Sequence, residues 1–119
     1  MPYATTMPSW QEAFPHAITV CNREGVILFM NERACATFAQ QGGAALVGTS
    51  LLDCHPEPAR RKLAALLCSG KANVYTIEKN GVRKLIYQSP WYAAGQYAGV
   101  VELSLELPAE MPHFVRDSV

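Results

Sequence analysis

The sharpest chemical signal in this sequence is a thiol beside an imidazole, Cys54 and His55, flanked by Asp53 and Pro56. Three uses fit the pair. His55 and Asp53 can hydrogen-bond the backbone of a corner stiffened by Pro56 and Pro58, with Cys54 as a small core filler. Both side chains can touch a bound ligand. A thiolate stabilised by a neighbouring imidazolium can also react, or ligate haem. Zinc is poorly served: adjacent side chains rarely converge on one ion, and no other His or Cys sits within four residues.

A second signal is Glu102, which interrupts the apolar run Val100-Val101-Glu102-Leu103-Ser104-Leu105-Glu106-Leu107. Strand alternation puts Val101, Leu103, Leu105 and Leu107 on one face and Glu102, Ser104 and Glu106 on the other. On a solvated face the carboxylate needs no explanation. Facing a cavity it needs a partner, and His55 and Tyr87 are the candidates. Tyr75, Tyr87, Trp91, Tyr92 and Tyr97 decorate the same half of the chain; they fit cross-strand packing, a pocket lining or an exposed pairing face. No phosphate-cradling loop, nucleophile elbow or suitably spaced acid pair is present, so little points to turnover.

The bulk composition narrows the partners. Formal net charge is zero over 119 residues, which argues against nucleic acid or an anionic membrane surface, both of which reward a concentrated positive field. Arg60-Arg61-Lys62 reads as the wet side of a helix. With 50% hydrophobic and 17% charged residues the chain can bury a core as one domain without staples. No apolar run approaches the roughly 18 to 20 residues that span a bilayer, and the first ten residues carry no signal-peptide pattern. The four cysteines, widely spaced and without C-x-x-C, read as reduced, mostly buried thiols of a cytoplasmic protein.

The elements that must position these side chains follow from turn and cap chemistry. Residues 1 to 8 form a loose leader, and Ser9 caps a short helix over Trp10 to Phe14 whose apolar side seeks a partner surface. Ile18 to Cys21 and Val26 to Met30 are strands joined by Asn22-Arg23-Glu24-Gly25. Asn31 caps a helix over Glu32 to Gln40, with Ala34, Cys35 and Phe38 inward, and Gly42-Gly43 ends it. Residues 48 to 53 are a connector. Ala59 to Ser69 is a helix with Leu63, Leu66 and Leu67 on its dry face, closed by Gly70. Three strands complete the chain: Ala72 to Lys79, Val82 to Tyr92 after the Asn80-Gly81 turn, and Tyr97 to Leu107. Pro90 should lie at a bulge or edge. Residues 109 to 119 make a flexible tail. The expected fold is α+β, a five-stranded antiparallel sheet with helices packed on one face and a cavity between them.

Asn22-Arg23-Glu24-Gly25, Asn31, Gly48, Asn80-Gly81, Gly95 and Gly99, in this order and spacing over residues 14 to 107, resemble a PAS sensory domain. Asp53-Cys54-His55-Pro56 together with Gly95, Tyr97, Gly99 and Glu102 is similar to a subgroup that accompanies bacterial regulatory proteins. The resemblance implies sensing rather than catalysis. Flavin-linked members carry N-C-R-F-L-Q where this chain has Leu51 to Pro56, which argues against flavin. Haem-binding oxygen sensors place an axial histidine near Leu63, where this chain has none; haem through His55 or Cys54 stays open. In photoactive yellow proteins a connector cysteine holds the chromophore, but Cys54 is out of register and Met30 and Ala34 stand at the bracing positions.

The reading is therefore a signal-sensing module, residues 14 to 108, that binds a small organic ligand or a protein partner. It would signal as a homodimer, through the short first helix and the long last strand, to a separate downstream protein. Phe29, Phe38, Cys54, His55, Leu63, Tyr87 and Glu102 are the candidate ligand-binding residues. The rival readings are a haem or redox sensor using His55 or Cys54, and a small cone-fold enzyme with Glu102 or His55 as base.

Overall fold

The computed structural model describes residues 9 to 118; the leader expected before them lies outside this range. The elements in chain order are α1 (Trp10–Ala13), β1 (Ala17–Asn22), β2 (Ile27–Met30), α2 (Glu32–Thr37), two short 3₁₀ turns, α3 (Leu51–Cys54), α4 (Ala59–Ser69), β3 (Asn73–Lys79), β4 (Val82–Ala93) and β5 (Gln96–Glu106). The five strands form one antiparallel sheet, as expected, and their order in it is β2-β1-β5-β4-β3.

Asn31 ties the first half together. It is fully buried, and its Oδ1 accepts from the Ala34 amide at 2.9 Å, which is the predicted cap of α2. The same oxygen accepts from Ile18 N at 3.0 Å. Its Nδ2 donates to the carbonyls of Gln11 and His16, each at 2.9 Å, so one amide joins α1, β1 and α2. The first turn is held by another asparagine, Asn22, whose Oδ1 accepts from Glu24 N and Val26 N.

Two irregularities set which side chains face the helices. Val20 pairs with Phe29 but Cys21 pairs with Ile27, so Leu28 is an extra residue on β2. That bulge breaks the period of two and lets Ile27 and Met30, three apart, both turn to the helical side. On β5 the extra residue is Ala98, between the Trp91–Gly99 and Tyr92–Tyr97 pairs. Pro90 lies just before this bulge and past the end of the β3 ladder, where its missing N–H costs nothing.

Residues 48 to 51 are stitched along β2 and β1's turn: Gly48 N donates to Ile27 O at 2.8 Å, Ile27 N to Thr49 O at 3.0 Å, and Leu51 N to Gly25 O at 2.8 Å. The sequence predicts only a connector over this stretch. It ends in a one-turn helix, α3, because Ser50 caps it by accepting from Leu52 N.

α4 is docked mainly by its C-terminal end. Leu67 is buried against Cys21 and Val100, and Gly70 closes the helix in the left-handed conformation. Tyr97 Oη donates to the Leu67 carbonyl at 2.8 Å, satisfying one of the acceptors that a helix end leaves free. Toward its start the helix stands off the sheet, and every residue of β3 stays exposed. Tyr97→Phe is expected to cost about 1 kcal/mol and to raise amide hydrogen exchange selectively in the last turn of α4; unchanged exchange there would show that the hydroxyl does not hold the helix.

Of the four cysteines only Cys21 is buried, where burial pushes its thiol up; a hydrogen bond with the Val100 backbone opposes this and the nearby Glu102 charge adds to it. Cys54 and Cys68 are exposed, contrary to expectation, because α3 sits at the rim and Cys68 lies on the outward side of α4. Residues 107 to 118 form neither helix nor strand, and Met111, Phe114 and Val115 are exposed.

Candidate functional site

Glu102 faces the helical side of the sheet, directly across from Thr19 in the β1–β5 ladder. It lines a cavity of about 280 Å³ whose other walls are Ile27 and Met30 from β2, Phe38, Gln41 and Leu46 from the turns after α2, and Leu51, Cys54 and His55 at α3. Most of this surface is apolar, with a few polar groups converging on it, the usual make-up of a small-molecule site.

The carboxylate is partnered, though by neither residue that the sequence suggested. Gln88 Nε2 donates to Glu102 Oε2 at 2.7 Å, and Asn73 Nδ2 donates to Gln88 Oε1 at 2.9 Å. Three neighbouring strands therefore carry a string of polar groups that ends on Glu102. The charge is felt around it: burial first, then Glu102, holds the Tyr75 hydroxyl above the usual tyrosine range.

His55 closes α3. Its Nδ1 lies 2.6 Å from the Leu51 carbonyl, which can only accept, so Nδ1 carries a proton and the ring is held with Nε2 free. This backbone bond is one of the uses the sequence allowed. Asp53 does not share it: its carboxylate lies 3.9 Å from Arg60, both largely exposed, a pair worth little. Among the described residues no three His, Cys, Asp or Glu side chains converge as a metal site would need.

The predicted residues divide into three groups. Phe38, Cys54, His55 and Glu102 meet at the one cavity. Leu63 lines a separate, open cleft of about 560 Å³ between α4 and the β3–β4 half of the sheet, with Leu66, Tyr75 and Gln88. Phe29 and Tyr87 lie on the opposite face, since Phe29 pairs with the outward Val20 and Tyr87 with the outward Leu103. Phe29 there meets Ile18, Val20 and residues of α1. Thr19, Gln41 and Gln88 were missed. Alternation along β1 would have found Thr19; Gln88 depends on the β5 bulge, which no local signal announces.

Haem does not fit the cavity. Among the described residues its lining carries a carboxylate and no Lys or Arg to meet the propionates. Its volume also falls below the roughly 300 to 1,000 Å³ of sites that take drug-sized molecules.

The sequence profile described as the PAS fold matches residues 12–108, spanning every strand of the sheet. The chain belongs to the PAS family. PAS domains are sensory modules, generally without enzymatic activity, of signal-sensing proteins. Solved structures agree on the fold. A C-terminal domain from Streptococcus mutans superposes with a TM-score of 0.68 at 16% identity, covering 89% of this chain and 90% of that one. The PAS domain of BvgS from Bordetella pertussis gives 0.60 at 17% identity, covering 83% and 82%. The Aer2 receptor of Vibrio cholerae, described as a dual PAS-heme oxygen sensor, gives 0.57 at 14% identity, covering 78% and 95%. No curated protein matches the chain. Among the described residues no helix of this PAS domain is long and apolar enough to cross a membrane.

Proposed function

We propose that this PAS domain is a cytoplasmic sensing module that holds a small organic ligand in the cavity bounded by Phe38, Cys54, His55 and Glu102. The observation that carries the reading is the convergence of one carboxylate and one oriented imidazole on a mostly apolar space between the sheet and the helical segment. A filled core would place neither group there, because unpaired polar atoms are costly away from water. Leu63 belongs to the neighbouring cleft and would feel the ligand through α4.

The opposite face of the sheet supports pairing with a second copy. Val20, Phe29, Val101, Leu103 and Leu105 are only partly buried there, Tyr87 and Val74 are exposed, and α1 lies beside them with Trp10 stacked edge-on to Phe14 at 5.5 Å. An apolar face of this kind satisfies itself by two-fold pairing. Ligand-driven movement would pass through β5, which contributes Glu102 to one face and Leu103 to the other, toward the chain ends and a separate downstream protein.

Native mass spectrometry with sedimentation tests both halves. The expected result is a dimer that releases a small molecule on activation. Leu103→Glu, which buries a charge at the pairing face, should weaken the dimer at least about tenfold while the ligand mass is retained. A monomer at every concentration, carrying nothing and taking up nothing from a metabolite extract, would overturn the proposal.

A further inference from the structure

The polar groups of the α2–α3 cavity are unbalanced in a way that selects what can enter. An ionised carboxylate only accepts hydrogen bonds, so Glu102 sets the sense of the whole string behind it. Gln88 must turn its N–H toward Glu102, leaving its carbonyl for Asn73, which is the arrangement observed at 2.7 and 2.9 Å. The string occupies Oε2. Oε1 has no hydrogen-bond partner among the described residues, and Glu102 borders the cavity. His55 behaves alike. Its Nδ1–H is committed to the Leu51 carbonyl at 2.6 Å, so in the neutral ring Nε2 offers a lone pair. Thr19 and Gln41 can both donate and accept and do not decide the matter. Among the described residues no Lys or Arg lines the space.

We infer that the ligand is a small cationic amphiphile, an apolar body carrying a protonated amine or a similar N–H group. Its N–H is donated to Glu102 Oε1, a second donor reaches His55 Nε2, and the body packs on Met30, Phe38 and Leu51. The inference rests on the small-ligand reading of this cavity and adds the sign of the charge. An anionic ligand is disfavoured twice, by repulsion from Glu102 and by finding no cation to replace the water it leaves. With about 280 Å³ the body is limited to roughly the size of a single ring or short chain.

Three probes of one shape separate the possibilities: cyclohexylamine, cyclohexanol and cyclohexanecarboxylate, titrated at neutral pH into the full ¹⁵N-labelled chain and followed by amide shifts. The amine is expected to move the amides of Thr19, Phe38 and Glu102 and to bind about tenfold or more tightly than the alcohol, the usual margin of a charge-assisted hydrogen bond. The carboxylate should bind most weakly. Glu102→Gln, which keeps an acceptor for Gln88, should remove the amine's advantage over the alcohol. The ranking on the unaltered chain stands whether or not that variant folds. A carboxylate that binds as well as the amine, or an amine indifferent to Glu102→Gln, overturns the inference. If the alcohol moves those amides and the amine gains nothing, the charge preference fails while the small-ligand reading stands. If no probe moves them, both fail.

Discussion

Asn31→Ala is expected to cost this PAS domain about 3 to 5 kcal/mol, a large part of the roughly 5 to 15 kcal/mol that holds a domain folded. Truncation leaves the amides of Ile18 and Ala34, both at buried bonds, and the part-buried carbonyls of Gln11 and His16 without this partner. Asn31→Asp isolates the cause. It keeps the oxygen that caps α2 but turns a second oxygen toward carbonyls that can only accept, so it should be about as damaging as the alanine despite equal size. Urea unfolding followed by circular dichroism measures both. A loss below about 1 kcal/mol for either variant would show that α1, β1 and α2 do not depend on this amide.

The second large effect is at Gly99. A Cβ there would run into the Cys21 carbonyl oxygen and lie 2.8 and 2.9 Å from Asn22 Cα and C. These are backbone atoms of β1, Gly99's neighbour in the sheet, so relief means prising β1 from β5. The Cys21 carbonyl also accepts from Trp91 Nε1 at 3.0 Å, whose indole crosses the bare position to reach it. Its φ of +153° adds backbone strain for any residue with a side chain. Gly99→Ala should therefore cost at least about 3 kcal/mol, or lower Tm by roughly 10 °C or more. Gly48, where an added Cβ meets nothing within 4 Å, is the control: alanine there bears only the φ penalty, about 1 kcal/mol. Equal losses at the two sites would mean that the close strand approach is not what requires glycine.

Both effects bear on the cavity. Asn31 fixes the start of α2, and the chain leaving α2 supplies Phe38 and Gln41 to the site. Gly99 sets the spacing of β1 and β5, which carry Thr19 and Glu102 as a facing pair. The carboxylate is placed by the sheet and the imidazole by α3, so the distance between them changes with any shift of one layer over the other. In the proposed reading, motion of that kind carries the effect of a ligand to the far face, since Glu102 and Leu103 are neighbours in the same strand.

The sequence alone determined much of this protein. Asn22, Asn31, Gly70 and Asn80-Gly81 are short-range signals whose chemistry is complete within a few residues, so turns, caps and the succession of elements along the chain could be read directly. The α+β sheet and the PAS family follow from them, and four of the ligand candidates named from the sequence, Phe38, Cys54, His55 and Glu102, line one cavity. The tertiary structure decided the facing of the rest. Carried up from the Ala93–Gln96 turn without interruption, the β4–β5 register sets Tyr87 opposite Glu102. Ala98 bulges out, the pairing slips by one, and Gln88 takes that place while Tyr87 turns to the other face. Leu28 does the same on β2, where the unbroken apolar run Val26 to Met30 carries no alternation to read. Because side chains alternate with a period of two, a single unpaired residue reverses every later assignment. Where a bulge falls is settled by how neighbouring strands and helices close over one another, as Trp91 does over Gly99, and that is a property of the assembled sheet.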